Sequence, residues 1–180
     1  MAATHIALLR GINVGKAKRV AMADLRALVE ELGYEDARTL LNSGNVVFRV
    51  RAAAKGDPAA RIEKALPGRF GIEARVIGLT VRELRGLARK NPLAKTASDP
   101  SRLLVAVLRR AADRKLLEAI AREDWSPDAL AFGPRAAFLW CPNGQLESPL
   151  AEAVQRALGD AVTIRNAATI AKLLALAEGP

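Results

Sequence analysis

Cysteine and histidine occur once each in this 180-residue chain, as Cys141 and His5, and aromatic residues make up only 4%. One thiol cannot close an internal disulfide, and one thiol with one imidazole cannot assemble a zinc cluster. A Ser-His-Asp triad or a Cys-His pair would have to draw on these two residues alone. His5 falls in the first apolar run and Cys141 stands before Pro142, so a core histidine and a buried thiol are the expected readings. Carboxylates show no liganding pattern. Glu30-Glu31 and Glu123-Asp124 are sequence neighbours, a spacing that points side chains apart on a helix. No metal or cofactor is expected, and the catalytic residues of any reaction stay unassigned. No stretch reaches the roughly 20 apolar residues that span a bilayer. The opening residues also lack the basic region and cleavage site of a signal peptide. A cytoplasmic address without membrane contact is the expectation.

Acids are also scarce, but only locally. Residues 1–90 hold 17 Lys and Arg against 9 Asp and Glu, while residues 91–180 hold 11 against 10. Of the net charge of +9, +8 therefore belongs to the first half. A field of that sign attracts phosphates, nucleic acid or acidic partners. Arg outnumbers Lys 20 to 8 amid abundant alanine, a bias that a GC-rich genome also produces. Composition by itself leaves both origins of the charge open.

With 51% apolar and 26% charged residues, the chain has the make-up of a folded globular protein. Thr4–Arg10 reads as a strand, and Met22, Leu25, Leu28, Val29 and Leu32 recur at helical spacing before Gly33. Strands are expected at 37–41 and 45–50, joined through Asn42-Ser43-Gly44, and Asp57-Pro58 opens a helix that should stop at Pro67-Gly68. A strand over 72–77 completes the order β-α-β-β-α-β, the split unit of ferredoxin-like folds. Thr80 and Glu83 form a capping-box pattern for a third helix ending near Lys90. The second half reads as a strand at 102–108, a helix at 112–121, a hairpin around Gly133-Pro134, and a helix from Ser148-Pro149. An appended C-terminal helix at 168–178 ends the chain. The expected fold is α+β, with two packed ferredoxin-like halves, 1–90 and 91–180, on antiparallel or mixed sheets, equally countable as a single domain over 1–180.

One segment goes beyond fold. Arg10-Gly11-Ile12-Asn13-Val14-Gly15-Lys16-Ala17-Lys18-Arg19 lies between a strand and a helix and carries four cations and no acid. In such a place glycines let backbone amides approach a ligand, and a helix start favours anions. It is not a nucleotide-binding P-loop: Gly11-x-x-x-Gly15-Lys16 is one residue short, and Ala17 stands where a hydroxyl would ligate Mg²⁺. A surface loop whose glycines only make turns is the competing reading.

Arg10-Gly11-Ile12-Asn13-Val14-Gly15 with Arg19-Val20, then Asn42-Ser43-Gly44-Asn45-Val46-Val47-Phe48, resemble the N-terminal signatures of domain-of-unknown-function family 1697, a family of uncharacterised bacterial proteins. Pro142-Asn143-Gly144 with Ser148, and Thr163-Ile164-Arg165-Asn166 with Thr169 and Lys172-Leu173-Leu174, match its C-terminal signature in the same order. The resemblance implies a compact α/β protein with ferredoxin-like halves and a set of suspect residues, but no reaction. Two departures stand out: Lys16 replaces a usual glycine, and Ala167-Ala168 replaces a Trp-Asn pair.

The leading reading is a binding module, open to being an enzyme, for a phosphate-bearing or otherwise anionic ligand. Its candidate site residues are Arg10, Gly11, Asn13, Gly15, Lys16, Lys18 and Arg19, with Arg165 and Asn166 as secondary candidates. Asn166 serves equally well as the N-cap of the last helix, and Arg165 as a partner of a carboxylate. The alternative is a non-catalytic protein-interaction or structural unit. Binding to DNA or RNA ranks below both. No helix concentrates enough cations to read a groove, and Phe48 is the one aromatic in the strands that stack bases in RNA-recognition domains. Oligomeric state is not legible.

Overall fold

The computed structural model of the protein describes residues 1–179. Alternation makes β1 (Ala2–Leu9) a strand buried on both faces, with Ala7 and Leu9 on one side and Ile6 and Leu8 on the other. Then follow α1 (Met22–Glu31), β2 (Glu35–Leu40), β3 (Asn45–Arg51), α2 (Pro58–Phe70) and β4 (Val76–Thr80). The four strands form one antiparallel sheet in the order β2-β3-β1-β4, the ferredoxin-like arrangement. Leu25, Leu28 and Val29 of α1 and Ile62 and Leu66 of α2 close over the Ala7, Leu9, Val46 and Phe48 face.

As the Asp57-Pro58 pair foretold, the Asp57 carboxylate accepts the Ala59 N–H at 3.0 Å, with Pro58 in the first turn. The expected stop at Pro67 does not occur. The helix runs on to Phe70 and ends at left-handed Gly71, whose N–H reaches the Pro67 carbonyl at 2.8 Å. Phe70 packs against the core, and that contact holds the extra turn. The following strand accordingly starts at Val76, later than expected.

The remaining elements are α3 (Val81–Arg89), β5 (Leu103–Leu108), β6 (Ala129–Gly133), β7 (Ala136–Trp140), α4 (Pro149–Leu158), β8 (Val162–Asn166) and α5 (Ala167–Glu178). Their sheet, β6-β7-β5-β8, repeats the first topology and is also wholly antiparallel. Sequence reading differs from this half in two places. The helix expected at 112–121 is two 3-10 segments, Ala111–Leu117 and Ile120–Arg122. The carboxylate of Asp113 folds back onto the Arg110 N–H at 2.9 Å and holds the tight first turn. The second difference is β8, whose short alternation of Val162 and Ile164 with Thr163 and Arg165 was not read as a strand.

By compactness the chain divides into two units. Met1–Arg82 with the residues from Leu173 onward make the first, and Glu83–Lys172 the second. The residues of α3 and α5 are thus shared out between the units, whereas sequence placed one boundary after Lys90. No helix among the described residues is long and apolar enough to cross a membrane.

The β2–β3 turn contains the tightest glycine of the first unit. Gly44 has φ +80°, and a Cβ there would lie 2.7 Å from Ile12 Cδ1 and 2.8 Å from Leu9 Cβ. Gly44→Ala is expected to cost about 2–4 kcal/mol, from left-handed strain plus overpacking. Gly33, at φ +88° with open space around it, should lose only about 1 kcal/mol as Gly33→Ala. Urea unfolding of the two variants measures the difference, and equal losses would remove the packing role assigned to Gly44.

Candidate functional site

Where β1 ends, the Leu9 N–H donates to the Gly44 carbonyl and the Arg10 N–H to the Arg75 carbonyl, both at 2.8 Å. The chain then leaves the sheet through Gly11 at φ +67°, buries Ile12, and turns again at Asn13, φ +55°. Asn13 braces the whole strap to α1. Its backbone N–H donates to the Lys18 carbonyl at 3.0 Å. Its side-chain Nδ2 donates to the carbonyls of Val20 at 2.9 Å and Asn42 at 2.7 Å, and its Oδ1 accepts the Val20 N–H at 2.9 Å. Both amide hydrogens and the amide oxygen are therefore engaged inside the protein.

The second signature meets the first here. Asn45 is fully buried and donates through Nδ2 to the Leu40 carbonyl and the Ser43 hydroxyl, which sets the turn that offers the Asn42 carbonyl to Asn13. Two motifs 30 residues apart are one assembly, with Gly44 against Ile12 as its packed centre.

Outward from this brace the strap is cationic. Lys16, Lys18 and Arg19 are exposed, and Arg10 is half-buried. Lys18, at φ +49°, donates its ammonium to the Glu73 carbonyl at 2.8 Å. Among the described residues neither Lys16 nor Arg19 has an acid within ion-pair distance. Glu63 is occupied elsewhere, by the Arg75 guanidinium and the Val76 N–H. The exposed apolar Val14 follows Asn13 in the strap, and the exposed Leu41 precedes Asn42 in the turn.

Arg165 and Asn166 belong to the second unit. Arg165, on β8, donates to the Thr163 hydroxyl at 2.8 Å and the Ile164 carbonyl at 2.9 Å, and burial pulls its guanidinium down to about 10, still charged at neutral pH. Asn166 Oδ1 accepts the Thr169 N–H at 2.8 Å and caps α5. Cys141 is fully buried. Its thiol donates to Ser148, whose hydroxyl donates to Asp128 at 2.6 Å, and burial pushes the thiol further from ionisation. His5 stacks on Phe48, and Phe48, 1% exposed beneath the helices, offers no face to a base.

Sequence reading passed over a cleft of about 470 Å³ in the second unit, lined by Arg114, Lys115, Glu118, Arg122 and Phe132 among alanines. Its three cations were hidden in a half whose charges nearly cancel. Only the spacing of Asp113, Leu117 and Ile120, which are buried, separates them from an ordinary solvated face.

A family model described as "Protein of unknown function (DUF1697)" matches residues 2–138. Among solved structures, a conserved bacterial protein, SP0830 from Streptococcus pneumoniae, is similar at 22% identity with a TM-score of 0.74, over 97% of this chain and 98% of that one. That likeness speaks to the fold. No curated protein matches the chain.

Asn13→Ala removes three hydrogen bonds of the brace and should cost about 1–3 kcal/mol. Amide exchange at Val20 should quicken, and unchanged protection there would refute the bracing role. Asp113, buried and paired with Arg110, has its carboxyl held low, chiefly by the hydrogen bond from the Arg110 side chain. A carboxylate lowered by folding contributes stability above its unfolded value, about 3.9. That contribution is lost as pH falls through the lower folded value. Acid unfolding of Asp113→Asn should therefore show a weaker pH dependence below about pH 4 than the parent, with a loss at neutral pH of about 1 kcal/mol.

Proposed function

The chain belongs to the DUF1697 family of proteins of unknown function, and from that premise we propose that it is a binding module for a phosphate-bearing or otherwise anionic ligand, held at the strap between β1 and α1. The observation that carries this reading is a fixed loop with unspent charge. Asn13 and Gly44 hold the strap in one shape, while Lys16 and Arg19 project without acid partners among the described residues. A loop already ordered loses little further entropy when it closes on an anion. Lys16, Lys18 and Arg19 supply the charge and Arg10 the base of the strap. Gly11 and Gly15, at φ +67° and +60°, let the backbone turn its amides outward. Asn13 acts as the brace rather than as a contact. Asn166 is spent on capping α5, and Arg165 bonds within its own strand. No reaction is assigned to it.

A second reading has one observation in its favour. Asn13, Asn42 and Gly44 are engaged with one another, and Val14 and Leu41, 69% and 54% exposed, flank the bonded pair. A protein-contact face with a cationic rim would use the same features.

Titration of nucleoside phosphates and short oligonucleotides at low and moderate salt tests the proposal. Lys16→Ala and Arg19→Ala should each weaken binding about fivefold, near 1 kcal/mol per contact. Binding to neither probe class, or binding indifferent to both substitutions, would end the anion reading. Loss that steepens with salt and grows with oligonucleotide length would instead mark a nucleic-acid backbone as the ligand.

A further inference from the structure

The cleft beside the 3-10 segments has exposed walls set on buried anchors. Along Ala111–Leu117 and Ile120–Arg122, the inward residues anchor the wall. Asp113 is bonded to the Arg110 backbone and guanidinium, and Leu117 and Ile120 sit in the core of the second unit. The outward residues of the same turns, Arg114, Lys115, Glu118 and Arg122, face the cleft. Cations outnumber acids there three to one. Among the described residues none of Arg114, Lys115 and Arg122 has an acid within ion-pair distance.

Arg114 lies over an aromatic ring. Its guanidinium carbon lies 4.5 Å from the centre of the Phe132 ring on β6. A guanidinium over a ring makes a cation–π contact, and its N–H donors can still match a carboxylate or phosphate. Phe132 with Ala111, Ala112 and Ala121 supplies an apolar wall. A volume of about 470 Å³ suits a small metabolite and exceeds what a bare anion fills. An adjoining cleft of about 200 Å³ shares Ala121 and Phe132 and is lined by acids. Its carboxylates Glu123, Asp124 and Asp128 keep their negative charge, Asp124 held by Ser126 and Asp128 by Ser148, so the positive lining is confined to the larger cleft.

We propose that the cleft formed by Arg114, Lys115, Arg122 and Phe132 binds a small organic anion, a carboxylate or phosphate monoester carrying an apolar body. Arg114 takes the anionic group, Lys115 and Arg122 add charge from the same wall, and the body lies against the alanines and the edge of Phe132. The site belongs to the second unit and uses no residue of the strap, so it stands or falls separately from the anion site proposed there.

Amide and side-chain shifts in NMR titrations of the full chain provide the test. The probes are phenyl phosphate, benzoate, inorganic phosphate and phenol. Phenyl phosphate or benzoate is expected to shift amides between Ala111 and Arg122 together with Phe132, and whichever binds more tightly identifies the anion class. Inorganic phosphate and phenol should each bind at least about tenfold more weakly, each lacking one half of the recognition. Arg114→Ala should weaken binding about tenfold or more, and Arg122→Ala by a smaller factor. Arg114→Lys, which keeps the charge but loses fork and stack, should fall between parent and Arg114→Ala. Should Arg114→Ala fail to fold, Arg122→Ala and the parent's shift map still decide. In the double variant Lys16→Ala with Arg19→Ala, the shifts of Ala111–Arg122 and Phe132 should titrate as in the parent, whatever change appears at the strap.

Three results would overturn the assignment. One is the absence of shifts in the Ala111–Arg122 segment with either organic anion. Another is binding equal in the parent, Arg114→Ala and Arg122→Ala. The third is phenol or inorganic phosphate shifting the Ala111–Arg122 segment with as tight an affinity as the organic anions.

Discussion

A backbone that leaves a sheet while still buried must find partners for every N–H and C=O it carries. At the end of β1 that demand falls on residues outside regular structure. Leu9 and Arg10 still pair, with the carbonyls of Gly44 and Arg75. Beyond them Ile12 enters the core, and one side chain, Asn13, completes the hydrogen bonding of the strap with three bonds of its own. Gly44 makes this possible, since any side chain there would occupy the space of Ile12. The path of the strap, the start of α1 and the presentation of Lys16 and Arg19 all follow from that small assembly.

The same strand order serves both units, yet the first connection differs in each. In the first unit the β1–β2 crossover is a regular helix, whose Leu25, Leu28 and Val29 bury at 3.6-residue spacing. In the second unit the equivalent crossover is a pair of 3-10 segments that α4 packs against. Tighter winding brings Arg114, Lys115 and Glu118 onto one outward side while Asp113 and Leu117 point inward. A change in local winding thus converts a covering helix into the wall of a cleft.

Charge is distributed differently from what the two half-chain totals suggest. Acids of the first half are taken up in pairs such as Arg49 with Asp36, Arg51 with Glu35 and Arg75 with Glu63, each worth little to stability, and the excess of cations is spread over the rest of that half. The nearly neutral second half keeps three cations together around one cleft. Totals average over position, whereas an anion responds to the cations within a Debye length, roughly 8–10 Å.

Periodicity and turn chemistry made most elements of the fold readable. Leu25, Leu28 and Val29 announced α1, Asp57-Pro58 announced α2, and Asn42-Ser43-Gly44 announced the β2–β3 turn. Local signals suffice where an element depends on its own spacing, caps and turns. They misled where distant packing prevailed. Phe70 carried α2 past Pro67, Asp113 wound a helical pattern into 3-10 turns, and the short β8 became a strand only by pairing with β5. The suspect residues of the strap were visible as a run of cations without acids. That Asn13 is a brace while Lys16 and Arg19 face outward was not, because it depends on Asn42 and Gly44 arriving from 30 residues away. The sequence by itself determined the element order of the first unit, the turns and the basic strap. Only the tertiary structure decided which polar groups are consumed internally and which remain free for a ligand, since that depends on neighbours brought together by folding.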